Sequence, residues 1–231
     1  WPMLWALWIA SQGTPNPKVL IIMTFGTWLT RSAGCIINDC FDQHFDKQVA
    51  RTQDRPLARN DISTLEALSL AAGLLLIAFL AVLCLNRLCV YLAFVGVAFM
   101  VIYPYLKRIT YFPQLFLGLA FSWSIPMAFA AQTNHVPFIA LLLFIVATLW
   151  PLIYDTLYAM ADREEDLKIG VKSTAIWLGE KDRFAVAILQ VVWLLLLASL
   201  DLVLQLGLWY NVSLLIAFGF FSYQQFLIKD R

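Results

Sequence analysis

Residues 19–46 read VLIIMTFGTWLTRSAGCIINDCFDQHFD, and two very different kinds of sequence meet within them. From residue 19 to residue 37 the only charged side chain is Arg31. A helix of that length is close to the ~20 residues that cross the hydrocarbon core of a bilayer. The residues that follow carry Asp39, Asp42 and Asp46. The chain therefore places an acidic segment directly at the end of an apolar segment of membrane-spanning length.

The rest of the chain repeats the apolar part of this pattern. Hydrophobic residues make up 61% of the 231 positions and charged residues only 13%, against roughly a quarter charged in soluble domains. Six further runs of near-spanning length are almost free of charge: 65–85, 88–105, 111–131, 136–154, 184–200 and 208–228. The sequence thus predicts an all-α, polytopic transmembrane helix bundle with seven spans, and residues 1–10 as part of an eighth helix.

The charged residues are distributed very unequally between the two ends of these spans. If the loop after residue 37 is cytoplasmic, thirteen of the sixteen Lys and Arg residues lie on that side, while Lys18 and Arg87 lie on the other. An excess of Lys and Arg in cytoplasmic loops is the usual signature of orientation. Thirteen of the fifteen carboxylates flank two loops on that same side. We therefore expect any chemistry at the cytoplasmic face.

The first of these loops begins with a row of oxygen-bearing side chains. Asn38, Asp42 and Asp46 recur at i, i+4 and i+8, which places them on one face of a helix, with Asp39 beside the row. Carboxylates at this spacing repel one another unless cations lie between them. A single acidic turn after a span is more commonly a solvated helix end.

A second row follows the span 136–154, in the stretch YDTLYAMADREED at residues 154–166. Asp155, Asp162 and Asp166 fall at i, i+7 and i+11, which predicts one face of a single helix with Tyr158 close to it. Two such rows in register make the solvated-end interpretation much less attractive.

Oxygen donors without His or Cys suit hard divalent cations, and Mg²⁺ characteristically combines one or two carboxylates with phosphate oxygens. We therefore expect the two rows to hold Mg²⁺ ions that bridge a diphosphate. The predicted metal ligands are Asn38, Asp42, Asp46, Asp155, Asp162 and Asp166. Basic residues near the rows would add to charge neutralisation: Arg51, Arg55, Lys107, Arg108, Arg163, Lys168 and Lys172.

Arg31 differs from the other basic residues because it lies inside a span, where a charge is costly and commonly functional. It precedes Asn38 by seven residues, so it shares that face about 10 Å deeper. Two interpretations remain open: Arg31 binds an anionic group in a cavity below the metal site, or it snorkels or joins a structural hydrogen-bond network.

The two rows together resemble the motifs of the UbiA superfamily of intramembrane prenyltransferases. The first motif, NDxxDxxxD, stands at residues 38–46 and is followed by RTQDRPL at 51–57; the second, DxxYAxxDxxxD, matches Asp155, Tyr158, Ala159, Asp162 and Asp166. The stretches SWSIPMAFAA at 122–131 and YDTLYAMADREEDLKIGVKSTAI at 154–176 look most like the branch that prenylates 4-hydroxybenzoate in ubiquinone biosynthesis.

This resemblance implies a fold. Members of the superfamily have nine helices in a terpene-synthase-like arrangement around a central cavity. The resemblance therefore implies one domain over residues 1–231, truncated at both ends, with the start of the first helix and the entire ninth helix missing.

The resemblance also implies an activity: Mg²⁺-dependent transfer of a polyprenyl group from polyprenyl diphosphate to the ring of 4-hydroxybenzoate, ortho to its hydroxyl, with release of diphosphate. The implied membrane is the bacterial inner membrane, or the mitochondrial inner membrane in a eukaryote, with the active site on the cytoplasmic face. The implied catalytic residues are Asp42, Asp46, Asp162 and Asp166. The implied substrate-binding residues are Arg31, Asn38, Arg51, Arg108, Tyr158 and Lys172.

Two other functions fit parts of the pattern. A sister enzyme of the same superfamily would use another aromatic or porphyrin acceptor. A cation transporter or channel would also use acidic rows, but its pathway should carry ionisable groups at several depths. In this chain only Arg31 is deep.

Overall fold

The computed structural model describes residues 1–229, and within that range the regular structure is helical. The helices are α1 (Pro2–Ala10), α2 (Pro17–Asp46), α3 (Thr64–Val82), α4 (Arg87–Ile109), α5 (Pro113–Ser122), α6 (Ser124–Thr133), α7 (Phe138–Ala161), α8 (Arg163–Ile169), α9 (Thr174–Leu178), α10 (Asp182–Leu204) and α11 (Leu208–Leu227). A 3₁₀ turn, Gly179–Lys181, joins α9 to α10. The predicted all-α class is confirmed.

Six helical segments of the described chain are long and apolar enough to cross a membrane, where α5 and α6 count as one segment and α9 continues into α10. Helix α11 has spanning length, but it falls outside that set. Its hydropathy is lowered by polar residues such as Asn211 and Gln224. The chain is therefore a multi-pass membrane protein, and of the seven predicted spans the last is the least apolar.

Helix α2 carries the first acidic row without interruption. The Asn16 side chain accepts a hydrogen bond from the Lys18 backbone N–H at 2.9 Å, and Pro17 occupies the first turn, so the helix starts with a capped end. It then runs for 30 residues to Asp46, well past the apolar segment. The prediction that Asn38, Asp42 and Asp46 share one helical face is confirmed.

The segment between α2 and α3, residues 47–63, folds back onto the end of α2. Gln43 Nε2 donates to the Leu57 carbonyl at 2.9 Å, and Lys47 Nζ donates to Asn60 Oδ1 at 3.0 Å. Leu57 is buried. Ser63 then begins α3 with a capping box. This packing holds the basic residues of the segment over the acidic row.

Helices α5 and α6 form one span that is interrupted at Trp123. Pro113 lies in the first turn of α5, where its missing N–H costs no hydrogen bond. The Trp123 indole donates to the Leu92 carbonyl at 2.7 Å, and Gly96 of α4 leaves room for its ring. The partly buried Trp123 side chain therefore anchors the break to α4.

The second acidic row does not lie on a single helix, so that prediction was wrong. Helix α7 ends at Ala161, Asp162 has φ −88° and ψ 0°, and α8 begins at Arg163. The prediction assumed one continuous helix over residues 155–166, because they contain no Gly or Pro. The tertiary contacts of Arg163, given below, redirect the chain at this point.

Candidate diphosphate and metal site

Lys107, on α4, contacts the first half of the first acidic row. Its Nζ lies 2.5 Å from Asp42 Oδ2 and 3.2 Å from Asn38 Oδ1. Asp42 is buried, with 8% of its surface exposed, and a buried carboxylate needs a paired charge to remain ionised. The ammonium of α4 therefore neutralises the middle of the row on α2.

Arg55 joins the end of the same row to its neighbour. Its Nη1 donates to Asp46 Oδ2 at 3.0 Å and to Asp39 Oδ1 at 2.8 Å. Asp46 is also buried. Asp39, which lies beside the row, thus shares the Arg55 guanidinium with Asp46.

Arg51 connects the first acidic segment to the second. Its Nη2 donates to Asp162 Oδ2 at 2.7 Å, across 111 positions of sequence. The same guanidinium lies 5.9 Å from the centre of the Tyr158 ring. Residues 47–63 therefore reach over the end of α7. Arg51 and Tyr158, both predicted to bind substrate, lie close together there.

Asp155 and Asp166 are the other two carboxylates of the second motif. The charges of Lys107 and Arg51 act on both carboxylates, one on α7 and one on α8. Burial raises the pKa of Asp166 to about 6, and the charge of the neighbouring Asp162 raises it in the same direction. Carboxylates of both motifs thus lie within electrostatic range of the same two cations.

Three basic residues that were predicted near the site bind groups other than the carboxylates of the acidic rows. Arg108 Nη2 donates to the Phe41 carbonyl at 2.8 Å, and Lys172 Nζ donates to the Ile109 carbonyl at 3.1 Å. Arg163, expected to supplement the site, is paired with Asp182. Arg108 and Lys172 thus bind backbone carbonyls instead of the acidic rows, and Arg163 pairs with a carboxylate outside both rows.

Arg31 is exposed on α2, and within residues 1–229 no carboxylate lies within 4.0 Å of its guanidinium. It is within electrostatic range of Tyr154 on α7. Arg31 of α2 thus acts electrostatically on α7 and has no acidic partner of its own in the described chain.

Sequence reasoning did not single out Lys107 from the other basic residues. Its distinguishing contacts all come from tertiary structure, because Asn38 and Asp42 precede it by more than sixty positions. The one local signal was Tyr103, one helical turn before it, whose ring lies 5.3 Å from Nζ. Asp182 was not singled out either, because its partner Arg163 lies 19 positions away in the sequence.

The carboxylate and amide oxygens of the two motifs are the groups in this site that could bind a divalent cation. Within residues 1–229, no three His, Cys, Asp or Glu side chains come together closely enough to form a ready metal cluster. The carboxylates instead meet cations of the chain: Lys107 lies between Asn38 and Asp42, Arg55 between Asp39 and Asp46. Carboxylate and amide oxygens without His or Cys are the donor type that Mg²⁺ takes in proteins.

These features define a class of protein: a helical, multi-pass membrane protein whose two acidic motifs meet basic residues at one end of the bundle. The UbiA prenyltransferase family model matches residues 1–231. The chain belongs to the UbiA prenyltransferase family.

One curated relative, from Coxiella burnetii (strain CbuK_Q154), is named 4-hydroxybenzoate octaprenyltransferase. It is 54% identical over 231 residues, which is 100% of this chain and 80% of the relative.

Solved structures share the fold. The apo structure of a UbiA homolog from Aeropyrum pernix K1 matches with a TM-score of 0.86 at 24% identity, covering 97% of this chain and 85% of that one. A UbiA homolog from Archaeoglobus fulgidus bound to GPP and Mg²⁺ matches with a TM-score of 0.71 at 17% identity, covering 100% of this chain and 85% of that one. At these identities the likeness concerns the fold.

Proposed function

We propose that this chain transfers a polyprenyl group from a polyprenyl diphosphate to 4-hydroxybenzoate, in the biosynthesis of ubiquinone, as one domain over residues 1–231. The observation that carries the proposal is the 54% identity, over the whole chain, to a relative named 4-hydroxybenzoate octaprenyltransferase. The convergence of both acidic motifs on Lys107 and Arg51 supports it independently.

The reaction breaks an allylic C–O bond and an aromatic C–H bond and forms one C–C bond. The C–O bond of the diphosphate breaks, the allylic carbon bonds to the ring carbon ortho to the hydroxyl, and that ring carbon loses its proton to the released diphosphate or to water, which restores aromaticity. Diphosphate leaves with the bonding electron pair. A site for this reaction must therefore stabilise negative charge on the diphosphate and keep water away from an electron-deficient carbon.

Basic residues of the site meet the first requirement. Lys107 and Arg51 now pair with Asp42 and Asp162, and both can exchange a carboxylate for a diphosphate oxygen. A guanidinium suits phosphate because its donors form a planar fork. Arg108 and Lys172 are the proposed sources of further positive charge, because Arg108 binds the carbonyl of Phe41, next to Asp42, and the Lys172 backbone N–H binds the Lys107 carbonyl.

Divalent cations complete the charge balance. Asn38, Asp42, Asp46, Asp155, Asp162 and Asp166 are the residues that would hold Mg²⁺, and the ion would supply Lewis-acid stabilisation of the leaving diphosphate. The UbiA homolog from Archaeoglobus fulgidus, solved with GPP and Mg²⁺, shares the fold and supports this assignment.

Arg31 is the proposed partner of the acceptor carboxylate. It lies about 10 Å, two helical turns, below Asn38 along α2, and it is exposed without a carboxylate partner in the described chain. 4-Hydroxybenzoate carries its carboxylate opposite the hydroxyl. Binding that carboxylate deeper than the diphosphate would direct the hydroxyl end of the ring toward the allylic carbon.

The proposed membrane is the bacterial inner membrane, or the mitochondrial inner membrane in a eukaryote, with the site on the cytoplasmic or matrix face. The distribution of Lys and Arg supports this orientation.

A turnover assay tests the function. Membranes containing the protein are incubated with Mg²⁺, radiolabelled 4-hydroxybenzoate and a panel of polyprenyl diphosphates, and the prenylated product is identified. Asp42→Ala, Asp46→Ala, Asp162→Ala and Asp166→Ala should each abolish turnover, whereas Asp39→Ala should cost less. Product from a naphthoate or porphyrin acceptor but none from 4-hydroxybenzoate would favour a sister enzyme and contradict the proposal.

A further inference from the structure

Helix α8 carries Asp166, yet none of its own residues is more than partly buried. It is only seven residues long, and so short a helix is not stable by itself in water. Its position must therefore be set by contacts at its two ends. At the C-terminal end, the Lys172 backbone N–H donates to the Lys107 carbonyl at 2.9 Å, and the Thr174 N–H donates to Gln114 Oε1 at 3.2 Å.

At the N-terminal end, the contacts are those of Arg163. Its Nη2 donates to the Ala175 carbonyl at 3.0 Å, to the Gly179 carbonyl at 3.1 Å and to the Asp182 carboxylate. The first carbonyl belongs to α9 and the second to the first residue of the 3₁₀ turn. Arg163 thus joins the beginning of α8 to α9, to the 3₁₀ turn and to the first residue of α10.

The pair with Asp182 is shielded from solvent. The Asp182 side chain is 9% exposed and that of Arg163 is 27% exposed. Arg163 Nε is buried and has no hydrogen-bond partner within residues 1–229. The hydrogen bonds of Arg163 are therefore incomplete, and the Asp182 charge is what stabilises its guanidinium here. Removing either charge leaves the other shielded and unneutralised, which is strongly unfavourable.

Arg163 follows Asp162 directly and precedes Asp166 by three residues. We propose that Arg163 is a positioning residue: paired with Asp182, it holds the beginning of α8 so that Asp162 and Asp166 face Arg51 and Lys107. Its guanidinium points away from the site and does not contact substrate. The inference rests on the proposed function for what these two carboxylates bind, but the placement of α8 can be measured without turnover.

The first measurement is backbone hydrogen exchange across residues 163–173, in purified protein in lipid nanodiscs without substrates. Arg163→Gln and Asp182→Asn should each speed exchange there by roughly tenfold or more, because the segment then opens more readily. Arg163→Lys, which keeps the charge but loses the fork, should fall between these variants and the wild type. Lys181→Gln is the matched control: Lys181 is exposed and next to Asp182, and its loss should leave exchange unchanged.

The second measurement separates the substrates. Asp182→Asn should raise the Mg²⁺ concentration for half-maximal turnover by roughly tenfold or more and raise the KM for the diphosphate, with the KM for 4-hydroxybenzoate unchanged. Unchanged exchange in both Arg163→Gln and Asp182→Asn would overturn the positioning role. Equal KM changes for both substrates would also overturn it, as would failure of both variants to fold, which would make the pair a general stabiliser. If wild-type protein does not turn over 4-hydroxybenzoate, the proposed function fails, while hydrogen exchange still decides whether the pair places α8.

Discussion

Lys107 supplies the cation that Asn38 and Asp42 contact in this structure. Lys107→Met should lower the free energy of unfolding by about 1–3 kcal/mol, because the buried Asp42 carboxylate loses its partner. If that position suits a cation, adding Mg²⁺ should restore more stability to Lys107→Met than it adds to the wild type. Thermal unfolding in detergent with and without Mg²⁺ measures both effects.

The matched control for Lys107 is Lys47→Met, since the Lys47 ammonium binds Asn60 Oδ1 in the segment 47–63 instead of the acidic row. It should show no extra response to Mg²⁺. An identical Mg²⁺ response in wild type, Lys107→Met and Lys47→Met would argue that the oxygens around Lys107 do not bind a divalent ion.

Arg31 should affect one substrate more than the other. If it binds the acceptor carboxylate, Arg31→Lys should raise the KM for 4-hydroxybenzoate more than that for the diphosphate, because Lys keeps the charge but loses the planar fork. Arg31→Gln should cost more, on the order of a few kcal/mol if the carboxylate is left unpaired in a desolvated site. Steady-state kinetics with each substrate varied in turn provides the comparison. Equal losses for both substrates would assign Arg31 to helix packing.

The close approach of α5 and α7 depends on Gly118. A Cβ atom there would collide with the Thr148 carbonyl oxygen, which is backbone and cannot rotate away. Gly118→Ala should therefore destabilise the protein by about 1–3 kcal/mol through overpacking, measured as a lower midpoint of thermal unfolding. Gly73→Ala on α3, where a Cβ meets nothing within 4 Å, should leave the midpoint unchanged or raise it. Equal midpoints for the two variants would contradict the packing of α5 on α7.

The helices differ in how well the sequence predicts them. The apolar runs locate the spans, and the spacing of Asn38, Asp42 and Asp46 correctly predicts one helical face, because α2 continues to Asp46. The break at Asp162 was not predicted, because residues 155–166 contain no Gly or Pro. Asp162 and Glu165 do have the spacing of a capping box, but the Asp162 carboxylate binds Arg51 instead of capping α8.

The same limit applies to the site. Local spacing identifies the carboxylates, since one face of a helix is a local property. It does not identify which base meets which carboxylate: Lys107, Arg55 and Arg163 look equivalent in the sequence, yet only the first two contact the acidic row. Those partners are chosen by the packing of helices that lie far apart along the chain.

The orientation of the whole bundle is a separate prediction. In a background with the native cysteines replaced, Gln53→Cys in the segment 47–63 and His135→Cys between α6 and α7 place exposed thiols at opposite ends of the bundle. A membrane-impermeant thiol reagent should label Gln53→Cys only in inverted vesicles and His135→Cys only in right-side-out vesicles, because Lys and Arg collect on the cytoplasmic side. The reverse pattern would place the acidic motifs on the opposite face.

The central claim is that the two acidic motifs, carried by different parts of the bundle, form one diphosphate site. The most direct test is an experimental structure of the protein with Mg²⁺ and a non-hydrolysable polyprenyl diphosphate analogue. We expect Mg²⁺ to bridge the diphosphate to carboxylate oxygens of both motifs at about 2.0–2.1 Å, Asp42 or Asp46 on one side and Asp162 or Asp166 on the other, with Arg51 moved from Asp162 to the diphosphate. Mg²⁺ held by the carboxylates of only one motif, or a diphosphate bound away from Lys107, would contradict the account.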